Sequence, residues 1–296
     1  MKIKSFTALA LAFIIAAACT NSRQKKPTVV ATTSILGDAA KVLLQGADSV
    51  AVVSLMGPGV DPHLYKASQG DIESLSKAKL IIYNGLHLEG KMTELFAKLK
   101  NKRVFEAGKA VNQARLINAT EFGGAYDPHI WFDPMLWQEV IVALSAELSN
   151  TFPKERDLIS KNLEAYLVKL NTLHQNNILL LDNISESQRV LITAHDAFKY
   201  FGRAYNIKVV GLQGISTTAE YGIKDVSNLV QLIVENEVKA VFVESSVPVR
   251  SIEAVIEAAR TEGHAVQLGG ELYSDALGDA NSEANTYLGM FQQNVL

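Results

Sequence analysis

Six histidines occur in the chain, and three of them stand in contexts suited to holding a metal ion. His63 lies in Gly57-Pro58-Gly59-Val60-Asp61-Pro62-His63-Leu64-Tyr65, and His129 in Tyr126-Asp127-Pro128-His129-Ile130-Trp131-Phe132-Asp133-Pro134. Both contain Asp-Pro-His. Proline fixes its own φ and drives the residue before it toward extended geometry, so each imidazole leaves a stiff loop in a preset direction. Each preceding aspartate is placed to orient a ring or to accept backbone N–H groups. His195 ends the apolar run Val190-Leu191-Ile192-Thr193-Ala194-His195, and Asp275 follows Gly269-Gly270-Glu271-Leu272-Tyr273-Ser274. Three imidazoles and a carboxylate make a borderline donor set that suits zinc and accepts manganese. Spacing alone leaves blander readings open, because Asp-Pro also initiates turns and a lone histidine is commonly a hydrogen-bonded core or surface residue.

Bringing these residues together requires a scaffold, and the alternation of apolar runs supplies one. Residues 28–33, 49–55, 79–83 and 103–105 read as buried parallel strands, with helical spacing over 34–45 and 88–99. Residues 189–193, 207–212, 239–243 and 265–268 repeat the pattern in the second half. Alternation of this kind means βαβ units. Residues 153–181 contain no glycine and no proline after Pro153, which reads as one long helix and therefore a stiff rod. The expected organisation is an N-terminal α/β lobe over 28–152, a linker helix over 153–184 and a C-terminal α/β lobe over 185–296. His63, His195 and Asp275 then fall at the carboxyl ends of strands, where open α/β sheets collect ligands.

Composition agrees with two ordinary cores. The 296 residues are 48% apolar and 20% charged, which excludes general disorder, and the net charge of −3 offers no basic footprint for nucleic acid. Cys19 is the only cysteine, so an internal disulfide, a cysteine-type zinc finger and an iron–sulfur cluster are excluded.

That cysteine stands at the end of a leader. Lys2 and Lys4 precede an apolar run over residues 5–18 that closes on Ala16-Ala17-Ala18, the layout of an export signal too short to span a membrane. Because the run meets Cys19 directly, it resembles a bacterial lipoprotein signal, with residues 1–18 removed, Cys19 lipidated and 19–27 a polar tether. An ordinary secretory signal ending near a cysteine is the alternative, and it would leave an exposed unpaired thiol. Loss of the leader, whose only charges are the two lysines, takes the formal charge from −3 to −5.

The stretches Gly59-Val60-Asp61-Pro62-His63-Leu64-Tyr65, Tyr83-Asn84-Gly85-Leu86-His87-Leu88-Glu89, Asp127-Pro128-His129-Ile130-Trp131-Phe132-Asp133, Thr193-Ala194-His195-Asp196-Ala197-Phe198, Gly211-Leu212-Gln213-Gly214 and Gly269-Gly270-Glu271-Leu272 with Asp275 resemble the TroA-like, cluster A-I metal receptors of zinc and manganese ABC transporters. The resemblance runs from about Thr28 to the C-terminus, with the motifs in the family's order. It implies (βα)4-type lobes with parallel sheets, joined by one long rigid helix, with the ion between them. It implies His63, His129, His195 and Asp275 as ligands of Zn²⁺ or Mn²⁺, carried as cargo, and an ABC permease as partner. It implies a monomeric, extracytoplasmic receptor anchored to the membrane through Cys19, and no enzyme. Manganese-favouring members often have glutamate where His195 stands, whereas many zinc-specific members carry a histidine-rich loop near residues 108–126, which hold no histidine here. Both ions therefore stay open.

Two other classes compete. A zinc-dependent hydrolase would use three histidines and an open coordination position to activate water, but Asp275 closes that position. A surface adhesin would use the ion structurally. Among the remaining side chains, His87 is expected to be structural or to support the site, His174 and His264 to be exposed, Glu244 to hold a loop, with support of the site as the alternative, and Trp131 and Trp137 to pack the cleft and core.

Overall fold

The computed structural model describes residues 26–99, 101–119 and 124–296, so the leader, Cys19 and most of the tether lie outside the described residues. Four short runs form one parallel sheet: β1 (Thr28–Ala31), β2 (Ala51–Ser54), β3 (Leu80–Tyr83) and β4 (Val104–Glu106), in the order β2-β1-β3-β4. The two central strands alternate their burial. Val29, Ala31, Leu80 and Ile82 pack on one face with Ile35 and Leu36 of α1 (Ser34–Leu43), while Val30 and Ile81 pack on the other with Leu75 of α2 (Gln69–Lys77) and Met92. Cover on both faces is what an all-parallel sheet requires. β2, read from its sequence as a buried strand, is half-exposed, because as the edge strand it has a neighbour on one side only.

The helix expected over 88–99 starts late. Leu86 and His87 adopt left-handed φ of 52° and 66°, so the chain turns through Gly90–Met92 before α3 (Thr93–Lys98) begins. A short antiparallel hairpin, β5 (Asn118–Ala119) with β6 (Ala125–Tyr126), which the sequence did not announce, then leads to α4 (Pro134–Thr151). Proline stands at its first position, and Asp133 caps it by accepting the N–H groups of Met135 and Leu136. The long helix is α5 (Arg156–Leu181), preceded by a 3-10 turn at Pro153–Glu155. Its buried residues, Ile159, Tyr166, Leu170, Asn177 and Leu181, recur at intervals of seven and four, forming a single stripe.

In the C-terminal lobe β7 (Val190–His195) leads through α6 (Lys199–Tyr205) to its parallel partner β8 (Lys208–Gln213). After α7 (Ile223–Glu235), β9 (Ala240–Glu244) and β10 (Gln267–Leu272) form a second parallel pair around α8 (Arg250–Thr261), and α9 (Tyr287–Val295) closes the chain. The expected pair of α/β lobes with parallel sheets, joined by a long helix, is thus present. The C-terminal strands form two hydrogen-bonded parallel pairs. Where β7 lies beside β9, the Glu244 carboxylate accepts the N–H groups of Ala194 and His195, which a main-chain ladder would otherwise use. One core cluster joins Leu36 of α1, Trp137 of α4, Tyr166 of α5, Phe201 of α6 and Phe291 of α9, so it runs through both lobes and the linker. No helix of the described residues is long and apolar enough to cross a membrane.

Candidate metal centre

His195 is the last residue of β7, Asp275 follows β10, His63 lies in the loop between β2 and α2, and His129 precedes the 3-10 turn Ile130–Phe132 that enters α4. All four are buried, with exposures of 2%, 0%, 0% and 1% for His63, His129, His195 and Asp275. One potential ligand atom from each lies within 4.8 Å of all the others. The imidazole centroids are 5.4 Å apart for His63–His129 and His129–His195 and 5.9 Å for His63–His195. Nε2 of His129 and Nε2 of His195 each stand 3.4 Å from an Asp275 oxygen.

The donor atoms face one another without partners. Both ring nitrogens of His63, Nε2 of His129, Nε2 of His195 and Oδ1 of Asp275 are buried and accept or donate no hydrogen bond. Leaving a buried polar atom unsatisfied costs about 1–3 kcal/mol, so one donor atom from each of the four side chains, all within 4.8 Å of one another, calls for a shared partner, and a divalent cation answers these four. The charges respond to the same enclosure. Burial lowers the His63 pKa to about 3. Burial also opposes charge on His129, but Asp127 and Asp275 outweigh it and raise its pKa. On His195 burial is likewise outweighed, by Asp275 and Glu244, and the pKa rises well above the usual imidazole value. Asp275, which burial alone would push up, is held well below the usual carboxylate range by His195 and His129.

Outer contacts fix most of these side chains. Asp127 Oδ1 lies 2.8 Å from His129 Nδ1 and accepts the His129 N–H at 2.9 Å, which turns Nε2 toward the centre. Glu244 Oε1 lies 3.1 Å from His195 Nδ1 and serves that ring in the same way, besides joining the two strands. The loop expected from the sequence to need Glu244 is therefore the strand end itself, and its contact with the imidazole follows only from β7 and β9 being neighbours. Trp131 Nε1 donates to the Ser274 carbonyl at 3.0 Å, and Ser246 Oγ donates to Asp275 Oδ2 at 3.2 Å. Asp61 behaves otherwise. Its Oδ1 accepts the His63 N–H at 2.8 Å, and its Oδ2 accepts the Thr217 hydroxyl at 2.6 Å. Nothing in the sequence singled out Ser246 or Thr217, whose contacts exist only once the lobes are folded.

The other histidines stay outside this cluster. His87 is exposed on its left-handed turn. His174 and His264, expected to be exposed, are half-buried: His174 Nδ1 meets the Tyr205 hydroxyl at 3.2 Å and His264 Nε2 the Val238 carbonyl at 2.7 Å. Trp131 and Trp137 are buried in the main core, as expected.

Residues 29–296 match the family described as zinc-uptake complex component A, periplasmic. The chain is 46% identical to the manganese-binding lipoprotein MntA of Bacillus subtilis (strain 168), over 93% of this chain and 89% of that protein. It is 43% identical to the zinc-binding protein TroA of Treponema pallidum (strain Nichols), over 91% of this chain and 87% of that protein. The structure of the periplasmic zinc-binding protein TroA superposes with a TM-score of 0.88 at 42% identity, covering 91% of this chain and 96% of that one. Match, identity and shared architecture extend over nearly the whole chain, which belongs to the family of zinc-uptake complex component A periplasmic proteins.

Proposed function

We propose that this protein is the extracytoplasmic solute-binding component of a metal ABC importer, capturing Zn²⁺ or Mn²⁺ and handing it to a permease. His63, His129, His195 and Asp275 ligate the ion. The observation that carries this reading is the convergence of buried, unpartnered donor atoms, one from each of these four side chains. Relatives named for manganese and for zinc support the choice of cargo. With this donor set zinc binds more tightly under equal supply, and manganese occupies the site where manganese is the ion available.

The rest follows from the same reading. Residues 1–18 are removed, Cys19 carries the lipid, and 19–27 tether a monomeric receptor whose lobes are 28–152 and 185–296 with 153–184 as linker. The ion undergoes no reaction. Asp275 fills the fourth position that a hydrolytic zinc site leaves to water, and the Glu244 carboxylate is committed to two main-chain N–H groups and one imidazole.

Elemental analysis of the full-length protein, followed by competition of zinc against manganese for wild type and His195→Ala, tests the proposal. One ion per chain, lost in His195→Ala, is the expected result. A protein that holds no metal, or one whose metal content ignores His195, overturns it.

A further inference from the structure

Of the four side chains at the centre, His63 alone has no hydrogen bond to orient it, since neither ring nitrogen has a partner. Its position follows its backbone, and the His63 N–H is bound to Asp61 Oδ1 at 2.8 Å. The other oxygen of that carboxylate crosses to the opposite lobe, where Thr217 Oγ1 donates to it at 2.6 Å. Thr217 stands between β8 and α7, 156 residues away in sequence. The His63 loop also approaches the segment after β9 at Gly59, where a β-carbon would come within 3.4 Å of the Ser245 carbonyl oxygen. The next residue after His63, Leu64, is 50% exposed. The His63 loop is therefore a thin wall between the centre and solvent, held against the C-terminal lobe.

We infer that Thr217 is a positioning residue for the metal centre: its hydroxyl fastens the His63 loop across the cleft and sets how long a captured ion is retained. The inference rests on the function proposed above. Once the contact to Asp61 is broken, the loop swings His63 away while Asp127, Glu244 and Ser246 still hold the other three ligands. Release then proceeds by movement of one loop, with no separation of the shared core.

The experiment is stopped-flow transfer of bound Zn²⁺, and separately Mn²⁺, from the full-length protein to an excess of chromophoric chelator. Thr217→Val is expected to accelerate release about tenfold, the order expected for one hydrogen bond to a charged group. Thr217→Ser keeps the hydroxyl and should restore the wild-type rate. Ser216→Ala removes a hydroxyl that meets Thr218 Oγ1 at 2.8 Å within the same loop, and should leave the rate unchanged. In the metal-free protein Thr217→Ser and Ser216→Ala should melt as wild type does, and Thr217→Val slightly lower, in keeping with loss of the one hydrogen bond across the cleft. Equal rates for wild type and Thr217→Val, or equal acceleration by Ser216→Ala, overturn the role assigned to Thr217 while leaving the metal centre standing. A wild-type protein that carries no stoichiometric ion removes the functional reading, and the role of Thr217 falls with it.

Discussion

At Asp127-Pro128-His129 the aspartate closes on its own histidine, with Oδ1 2.8 Å from Nδ1, and the loop is pinned twice more, by Asn84 Nδ2 on the Pro128 carbonyl at 3.0 Å and by the Tyr200 hydroxyl on the Asp127 carbonyl at 2.9 Å. At Asp61-Pro62-His63 the same tripeptide turns its second carboxylate oxygen away, to Thr217, and leaves the imidazole without a partner. The consequence is electrostatic as well as mechanical. Asp127 and Asp275 overcome burial and raise the pKa of His129, whereas burial dominates at His63 and lowers it to about 3. A short motif thus fixes where an imidazole leaves the chain, and the fold decides whether the motif or the opposite lobe holds it there.

Deleting each histidine breaks this comparison most directly. His129→Ala and His63→Ala should each weaken metal binding by more than a hundredfold, beyond the 10–100-fold typical of losing an outer partner. Their metal-free forms should differ. His129→Ala removes an imidazole that offsets the buried charges of Asp127 and Asp275 and is expected to lose about 1–3 kcal/mol, whereas His63→Ala removes two unsatisfied nitrogens and should unfold no more easily than wild type. Titration with metal and urea denaturation in chelator measure the two effects.

Altering the aspartates sharpens it. Asp127→Asn should lower metal affinity 10–100-fold by releasing the ring it holds. The effect of Asp61→Asn on affinity should stay below about tenfold, because an amide oxygen still accepts the His63 N–H. Equal losses in the two variants would show that both aspartates act through their rings.

Acid provides the third contrast. The folded pKa of His63, about 3, lies below the value of about 6.5 for an unfolded histidine, so unfolding takes up a proton between these values. Stability contributed through this group is present at neutral pH and lost as pH falls below about 6.5. Relative to His63→Ala, the metal-free wild type should weaken by on the order of 2 kcal/mol by about pH 5. His129 and His195, with raised values, contribute in the opposite sense: what they add is full in acid and fades as pH rises through their folded pKa. Parallel pH profiles for wild type and His63→Ala would contradict the assignment of His63 as the neutral member.

Much of this arrangement is written into local sequence. The β-branched and apolar runs mark the strands, because burial on both faces demands them, and the uninterrupted stretch after Pro153 marks the linker. His63, His129, His195 and Asp275 stand out through the motifs around them, and the fold brings them together. What the sequence conceals depends on neighbours distant in the chain. β2 reads like β1 but lies at an edge, and no residue within it says so. The late start of α3 follows from left-handed backbone at Leu86 and His87, residues that seldom adopt it. Glu244 meets His195 only because β9 lies beside β7, and the difference between Asp61 and Asp127 exists only across the cleft.

The core shared by α1, α4, α5, α6 and α9 bears on how the protein comes apart. A cut through the linker would not yield two self-sufficient pieces, since Phe201 and Phe291 of one lobe and Leu36 and Trp137 of the other bury one another's apolar surface. Heating should therefore melt the lobes in a single cooperative transition, with the slowest-exchanging amides on both sides of the linker reporting the same opening event.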